Sequence, residues 1–183
     1  MDFILLIMLN HLKQFVPSKV CLDCDGCCQF DLSDTDWRAK LGIEEQDELD
    51  VVQQTDRQGY LKTCAHEGKH VCTFFNPQDH TCAVYDKRPF DCQLYPFVLS
   101  HVPEGIGVFM HLSCPYIQTM MNTQDIDAYT EYLKRFFDRH ETHLFLLKNP
   151  DVVHDYSAYL NELKHLFTLP QFRVDVDGII TTA

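Results

Sequence analysis

The chain has 183 residues, enough for one domain with a hydrophobic core and too few for two large ones. Hydrophobic residues make up 45% of the sequence and charged residues 23%, which is normal for a globular protein. The formal net charge of −12 argues against nucleic acid and anionic membrane surfaces as general partners. We therefore expect a single domain over residues 1–183.

The N-terminal segment contains a short apolar run over residues 3–9. The run follows Asp2 where an export signal would carry positive charge, and it is too short to span a bilayer. We expect instead a helix whose apolar side chains pack on the domain, namely Ile4, Leu5, Met8, Leu12 and Phe15. Pro17 and Ser18 should break this helix.

Two further helices are expected before the middle of the chain. Ser33, with Asp36 three residues later, has the pattern of an N-cap, and Trp37 and Leu41 would then face inward before Gly42 ends the helix. The acidic stretch 44–59 has a weak helical period, which predicts a solvent-exposed helix that ends at Gly59.

The middle of the chain has the pattern of two hairpins. The β-prone runs 71–75 and 81–85 are separated by the turn-forming residues 76–80. In the same way, residues 94–102 and 107–114 flank a turn at 103–106.

The C-terminal part, residues 117–183, is predicted to be mostly helical. One long helix is expected from residue 124 to the break at Asn149-Pro150, with an inward stripe at Ile126, Tyr129, Leu133, Phe136, Phe137, His140 and Leu144. A second helix is expected over 158–167, and the tail should form a short β element with a turn at Asp177-Gly178. The predicted fold class is α+β: a loop-rich, metal-organised cysteine region (19–116) with short hairpins, packed on a helical region (117–183).

Nine cysteines are far more than usual, and an odd number does not suit a fully paired disulfide framework. Because disulfides also need an oxidising compartment, we expect a reducing, cytoplasmic location in which clustered thiols bind metal or carry out redox chemistry. Cys21, Cys24 and Cys27 form a C-x-x-C-x-x-C run, a spacing that lets neighbouring sulfurs reach one ion. Gly26 should relieve crowding where the chain bends around such a centre.

The adjacent pair Cys27 and Cys28 is unusual because neighbouring side chains diverge in both strands and helices. The two sulfurs could therefore address different metals or different sides of one cluster. Eight cysteine ligands would serve two four-cysteine zinc sites, or one iron–sulfur cluster with structural thiols left over. The spacing alone does not divide them.

A second set of cysteines follows in the middle of the chain, at Cys72, Cys82 and Cys92, and Cys114 adds one more candidate ligand beside Pro115. Arg88 lies between Cys82 and Cys92, where its charge would offset that of four thiolates around a divalent ion. Pro89 could start a helical turn that carries Cys92 inward.

Together these motifs, CLDCDGCC followed by TCAVYDKRPFDCQLYP and the late Cys114-Pro115, resemble the CxxCxxCC cysteine-cluster (YkgJ-like) family, described as a zinc- or iron-chelating domain. The resemblance covers residues 21 to 115. It implies a supporting role for Arg88 and a metal-binding set of Cys21, Cys24, Cys27, Cys28, Cys72, Cys82, Cys92 and Cys114. Cys64 falls outside the pattern. Flagellin lysine methylases, which are much longer proteins, are similar to this family through the same cluster.

The sequence therefore predicts a metal-binding protein whose cysteines hold zinc or an iron–sulfur cluster. Two other classes stay open: a methyl-transfer or redox enzyme that uses the cluster, and a metal-delivery or interaction module. His66 and His70 could replace a thiolate in a mixed site, although a polar loop is the commoner setting for such residues. His140 and His143 lack the H-E-x-x-H spacing of zinc proteases.

Overall fold

The structure is a computed structural model that describes residues 12–24, 26–48, 54–175 and 178–182. Its helices are α1 (Ser18–Leu22), α2 (Ile43–Glu48), α3 (Phe90–Leu94), α4 (Pro115–Met120), α5 (Gln124–Phe137) and α6 (His140–Lys148). Its strands are β1 (Gln29–Phe30), β2 (Thr63–His66), β3 (Lys69–Cys72), β4 (Phe75–Asn76), β5 (Thr81–Cys82), β6 (Phe97–Val102), β7 (Gly105–His111), β8 (Leu163–Leu169), β9 (Phe172–Val174) and β10 (Ile180–Thr182). Helices and antiparallel sheets together make the α+β class that the sequence predicted.

The cysteine-rich region is built from small antiparallel pieces. Strands β1, β3 and β2 form one sheet in that order, and β4 pairs with β5. The predicted hairpin around residues 76–80 is present but shorter than expected, since β4 and β5 have two residues each. Val71 and Cys72 belong instead to β3, which pairs on both sides.

The second predicted hairpin is confirmed and forms the larger sheet, ordered β6-β7-β8. Strand β7 is buried along its whole length because β6 and β8 flank it and the core packs against it. Gly105 allows the turn, since its φ of +140° is a conformation that other residues rarely adopt. This sheet carries Met110 and Phe97, both fully buried, into the main core.

The expected long C-terminal helix is instead two helices, α5 and α6, which separate at Asp138 and Arg139. Arg139 has an extended backbone (ψ 140°), so the chain changes direction there. The inward stripe is correct as far as Phe137, but Leu144 is 38% exposed because the break rotates the second helix; Phe145 and Leu146 are buried in its place. His140 is exposed at the start of α6.

The predicted helix over 158–167 is wrong. Residues Ser157–Glu162 form 3-10 turns, and β8 then pairs with β7, with Ile106 opposite Leu169. The available hydrogen bonds at the edge of β7 outweigh the helical pattern of the segment. The C-terminal part is therefore less helical than expected. The β element of the tail is confirmed as the antiparallel pair β9 and β10, whereas Asp177 of the predicted turn lies outside the described residues.

The helix predicted from Ser33 to Gly42 is also wrong, since this segment consists of turns. Its side chains are held by distant partners: the Trp37 ring stacks on His111 and on Tyr156, and Arg38 pairs with Asp56 at 2.7 Å. The acidic helix is confirmed only as α2; residues 49–53 lie outside the described part of the chain.

The N-terminal expectations are partly outside the described residues, which exclude Ile4, Leu5 and Met8. Leu12 is buried and Phe15 packs against Phe97, as expected, although residues 12–17 are not helical. Pro17 immediately precedes α1, which begins at Ser18. Among the described residues, no helix is both long and apolar enough to cross a membrane.

Candidate metal centre

Eight of the nine cysteines line one cavity of about 290 Å³. They come from α1, the turn that follows it, the ends of β3 and β5, helix α3 and the residue before α4, and they are Cys21, Cys24, Cys27, Cys28, Cys72, Cys82, Cys92 and Cys114. Cys64 lies on β2, is exposed and does not line the cavity. None of the nine cysteines, all of which the structure describes, forms a disulfide.

The first thiols are placed by α1 and the turn that closes it. Cys21 lies in α1, and the backbone N–H of Cys24 donates to the carbonyl of Cys21 at 3.2 Å. A Cβ added at Gly26 would lie 3.6 Å from the Cys24 sulfur, which is ordinary van der Waals contact. Crowding around the thiols therefore does not explain Gly26, contrary to our expectation.

Cys27 and Cys28 do not diverge as their adjacency suggested. Their sulfurs are 4.0 Å apart. Two thiolates bound to one tetrahedral ion at roughly 2.3 Å would be about 3.8 Å apart, so this pair is close enough to share a metal. The carbonyl of Cys28 also accepts the backbone N–H of Cys72 at 2.9 Å, which joins the N-terminal motif to β3.

Helices hold two of the later cysteines. Pro89 precedes α3, as predicted, and Cys92 lies within this helix between the buried residues Phe90 and Leu94. Cys114 is 5% exposed and stands at the N-cap of α4, with Pro115 at the first helical position.

Backbone N–H groups point at several of the sulfurs. Burial raises the pKa of Cys72 to about 11, and a hydrogen bond from the N–H of Phe74 opposes that rise. Burial likewise raises the pKa of Cys114, against hydrogen bonds from the N–H groups at the start of α4. These donors favour the thiolate, which is the form that binds metal.

The thiols also affect one another through charge. A hydrogen bond with Cys27 and burial together raise the pKa of Cys28 far above its ordinary value. Burial, followed by the charges of Cys72 and Cys27, does the same for Cys92. Deprotonating these thiols would place several negative charges close together, and a bound cation would compensate them.

Arg88 provides part of that compensation. Its Nη1 lies 3.8 Å from the Cys21 sulfur, and its charge lowers the pKa of Cys21 against the larger effect of burial. The guanidinium is fixed by three contacts: Nε donates to the carbonyl of Tyr85 at 2.8 Å, Nη2 donates to Gln14 at 2.9 Å, and the group stacks 3.8 Å from the Tyr85 ring.

The cavity has a second wall that the sequence did not reveal. There Trp37 stacks at 4.1 Å on His111, whose Nδ1 lies 3.1 Å from the Tyr95 hydroxyl. Beside Cys92, Asp91 accepts a hydrogen bond from the buried His154 ring at 2.8 Å. The two members of this pair are 63 residues apart, and no motif in the sequence links them.

The histidines named as candidate ligands lie elsewhere. His66 and His70 are on the β2–β3 hairpin and do not line the cavity. His143 lies on α6 and does not line the cavity; it contacts Gln171 and the ring of Phe172. The histidines that do line the cavity are His80, His111 and His154. The eight sulfurs are its most numerous donors, and sulfur suits zinc and iron.

The described side chains do not form a closed coordination group. No three of the described His, Cys, Asp or Glu residues converge closely enough on one point to hold an ion as they stand. The chemistry of the cavity nevertheless fits a thiolate-bound metal, because eight soft donors surround one space together with N–H donors and a guanidinium.

The fold and the cavity define a small α+β protein with a cysteine-lined metal centre. The chain belongs to the CxxCxxCC family, whose model matches residues 20–132, more than half of the sequence, and is described as "Putative zinc- or iron-chelating domain". Searches of curated proteins and of solved structures each gave no match.

Proposed function

We propose that this protein binds zinc or iron through the eight cysteines that line the cavity, with Arg88 offsetting part of their charge. The observation that carries this proposal is the convergence of thiols on one space from segments up to 93 residues apart, from Cys21 to Cys114. Cys64 stays outside the cavity, so the convergence is selective for the eight thiols.

Metal binding would also complete the folding of the cysteine-rich region. Strands β1, β4 and β5 have only two residues each, so hydrogen bonding alone gives this region little stability. If metal binding draws the thiols of these segments together, the free energy of metal binding becomes free energy of folding.

None of the nine cysteines, all of which lie in the described part of the chain, forms a disulfide. This favours a reducing compartment, and we propose a cytoplasmic location. Iron could be held as an iron–sulfur cluster, which requires inorganic sulfide in addition to the cysteines. Anaerobic purification followed by analysis of zinc, iron and acid-labile sulfide distinguishes these forms. Colourless protein with zinc indicates zinc sites, whereas brown protein with iron and sulfide indicates a cluster.

The test of metal binding is the stability of the full chain with and without its metal. We expect removal of the metal, or the substitution Cys24→Ser, to lower the melting temperature sharply. Cys64→Ser is the matched control, because it removes a thiol that does not line the cavity. An unchanged melting curve in fully metal-free protein would overturn the proposal.

A further inference from the structure

Helix α3, which carries Cys92, is too short to be stable by itself. It has five residues, whereas isolated helices need about 12–15 residues to form in water. Phe90 and Leu94 are each 1% exposed and anchor the helix in the main core. Asp91, Cys92 and Tyr95, which directly follows the helix, line the cavity. The contacts of Asp91 and Tyr95 therefore bear on where the thiol of Cys92 stands.

The carboxylate of Asp91 holds the start of α3. Its Oδ2 accepts hydrogen bonds from Nε2 of His154 at 2.8 Å and from the backbone N–H of Lys40 at 2.9 Å. His154 is itself fixed to β6, because its N–H donates to the carbonyl of Leu99 at 3.1 Å and its carbonyl accepts the N–H of His101 at 3.0 Å. Asp91 thus joins α3 to the larger sheet and to the turns around Lys40.

The ring of His154 has a polar atom that packing alone does not explain. The residue is 4% exposed, and its Nδ1 has no hydrogen-bond partner among the described residues. A buried polar atom without a partner lowers stability, so an apolar side chain would suit this position better if packing were its only role. We attribute the histidine here to the hydrogen bond that its Nε2 makes with Asp91.

A chain of four stacked rings runs from His154 to the other end of α3. His154 packs on Tyr156 with ring centroids 4.9 Å apart and planes at 10°. Trp37 packs on Tyr156 at 4.7 Å and on His111 at 4.1 Å. Nδ1 of His111, at the end of β7, lies 3.1 Å from the hydroxyl of Tyr95. One connected set of side chains therefore holds both ends of the helix.

We propose that the hydrogen bond between Asp91 and His154, together with the ring stack, holds α3 in place and so positions the thiol of Cys92 for metal binding. This inference rests on the proposed metal binding and adds Asp91 and His154 as positioning residues. They act through Cys92 and do not contact the metal. A ligand that is already in place loses less conformational freedom when the metal binds, which increases the affinity of the site.

The hold on α3 is tested in metal-free protein by amide hydrogen exchange. We expect His154→Leu to speed exchange in the α3 segment by about 10-fold, the effect of losing one hydrogen bond to a carboxylate. Exchange in α5 is the internal control and should stay unchanged. Equal acceleration in α3 and α5 would show a general loss of stability and overturn the proposal, as would unchanged exchange in α3.

Two further variants at this hydrogen bond sharpen the exchange experiment. His154→Gln is the conservative change, because its amide N–H can still donate to Asp91, and it should keep exchange in α3 slow. Equal rates in the glutamine and leucine variants would contradict a role for the hydrogen bond. If His154→Leu does not fold, Asp91→Asn weakens the same bond more mildly, and unchanged exchange in α3 there would contradict the proposal as well.

The position of the thiol is tested by zinc affinity in a double-mutant cycle. We expect His154→Leu to weaken zinc binding by about 10-fold in a competition titration with a chelator. In the Cys92→Ser background the same substitution should have little further effect, since the thiol that it positions is absent. His143→Leu is the matched control, because it removes a histidine that does not line the cavity. Equal losses with and without Cys92 would overturn the proposal.

The two experiments separate this inference from the function on which it rests. Zinc binding that His154→Leu leaves unchanged would support the proposed function and overturn the positioning role. If Cys92→Ser binds no zinc, His154→Gln decides, because its zinc affinity should exceed that of His154→Leu. Protein that binds neither zinc nor iron would overturn the proposed function, while hydrogen exchange in metal-free protein would still decide whether His154 holds α3.

Discussion

At the scale of single residues, Arg88 connects the second half of the cysteine-rich region to its N-terminal cysteine motif. It contacts Cys21 through its Nη1, and hydrogen bonds and ring stacking hold it in place. Because groups that support metal ligands affect affinity, we expect Arg88→Ala to weaken zinc binding by about 10- to 100-fold in a competition titration with a chelator. Arg88→Lys should restore only part of this, since lysine keeps the charge but lacks the planar fork.

The matched control for this substitution is Arg57→Ala. Arg57 is exposed and does not line the cavity, so its removal changes the net charge of the protein by the same amount without touching the thiols. Equal zinc affinity in the Arg88 and Arg57 variants would show that Arg88 acts only through net charge. A loss confined to Arg88→Ala indicates an effect of its position beside Cys21.

At the scale of secondary structure, the break between α5 and α6 separates two leucines that the sequence placed on one stripe. Leu133 is fully buried in α5, whereas Leu144 is 38% exposed in α6. We expect Leu133→Ala to lower the free energy of unfolding by about 2–5 kcal/mol, because it leaves a cavity in the core. Leu144→Ala should cost far less, and equal losses in urea denaturation would argue for one continuous helix.

The errors at this scale have a common physical cause. Residues 158–167 have a helical pattern but pair with β7, and Ser33 has the pattern of an N-cap but precedes turns. In both cases partners far along the chain provide the hydrogen bonds or the ring stacking that decide the conformation. Local spacing predicted β6, β7 and the inward face of α5 correctly because those elements bury side chains at the expected period.

At the scale of the whole molecule, the buried thiols make the stability of metal-free protein depend on pH. Burial raises the pKa of Cys21, Cys82 and Cys114 above the ordinary value of 9.0, and that of Cys72 to about 11. The unfolded chain therefore releases protons from about pH 9 while the folded chain retains them. The stabilising contribution is complete below pH 9 and is lost as pH rises through the folded values.

We therefore expect the urea midpoint of metal-free protein to fall between about pH 9 and pH 11. Zinc-loaded protein is the control, because it contains the same lysines and tyrosines but its cysteines are already deprotonated by the metal. Its midpoint should change much less over this range. A parallel decline in both forms would mean that the thiols are not the groups responsible.

The sequence was enough to predict the thiol set. The spacing of Cys21, Cys24 and Cys27, the positions of Cys72, Cys82 and Cys92 and the family resemblance together named the eight cysteines that line the cavity, and they left out Cys64. This was possible because ligand spacing within a turn is a local property of the chain.

How these residues meet depends on the tertiary structure. It places the sulfurs of Cys27 and Cys28 side by side, sets Arg88 against Cys21, and builds a second wall from Trp37 and His111. Each of these contacts depends on side-chain rotamers or on the pairing of segments that are far apart in sequence. Such arrangements follow from the packing of the whole domain, so no local pattern of residues contains them.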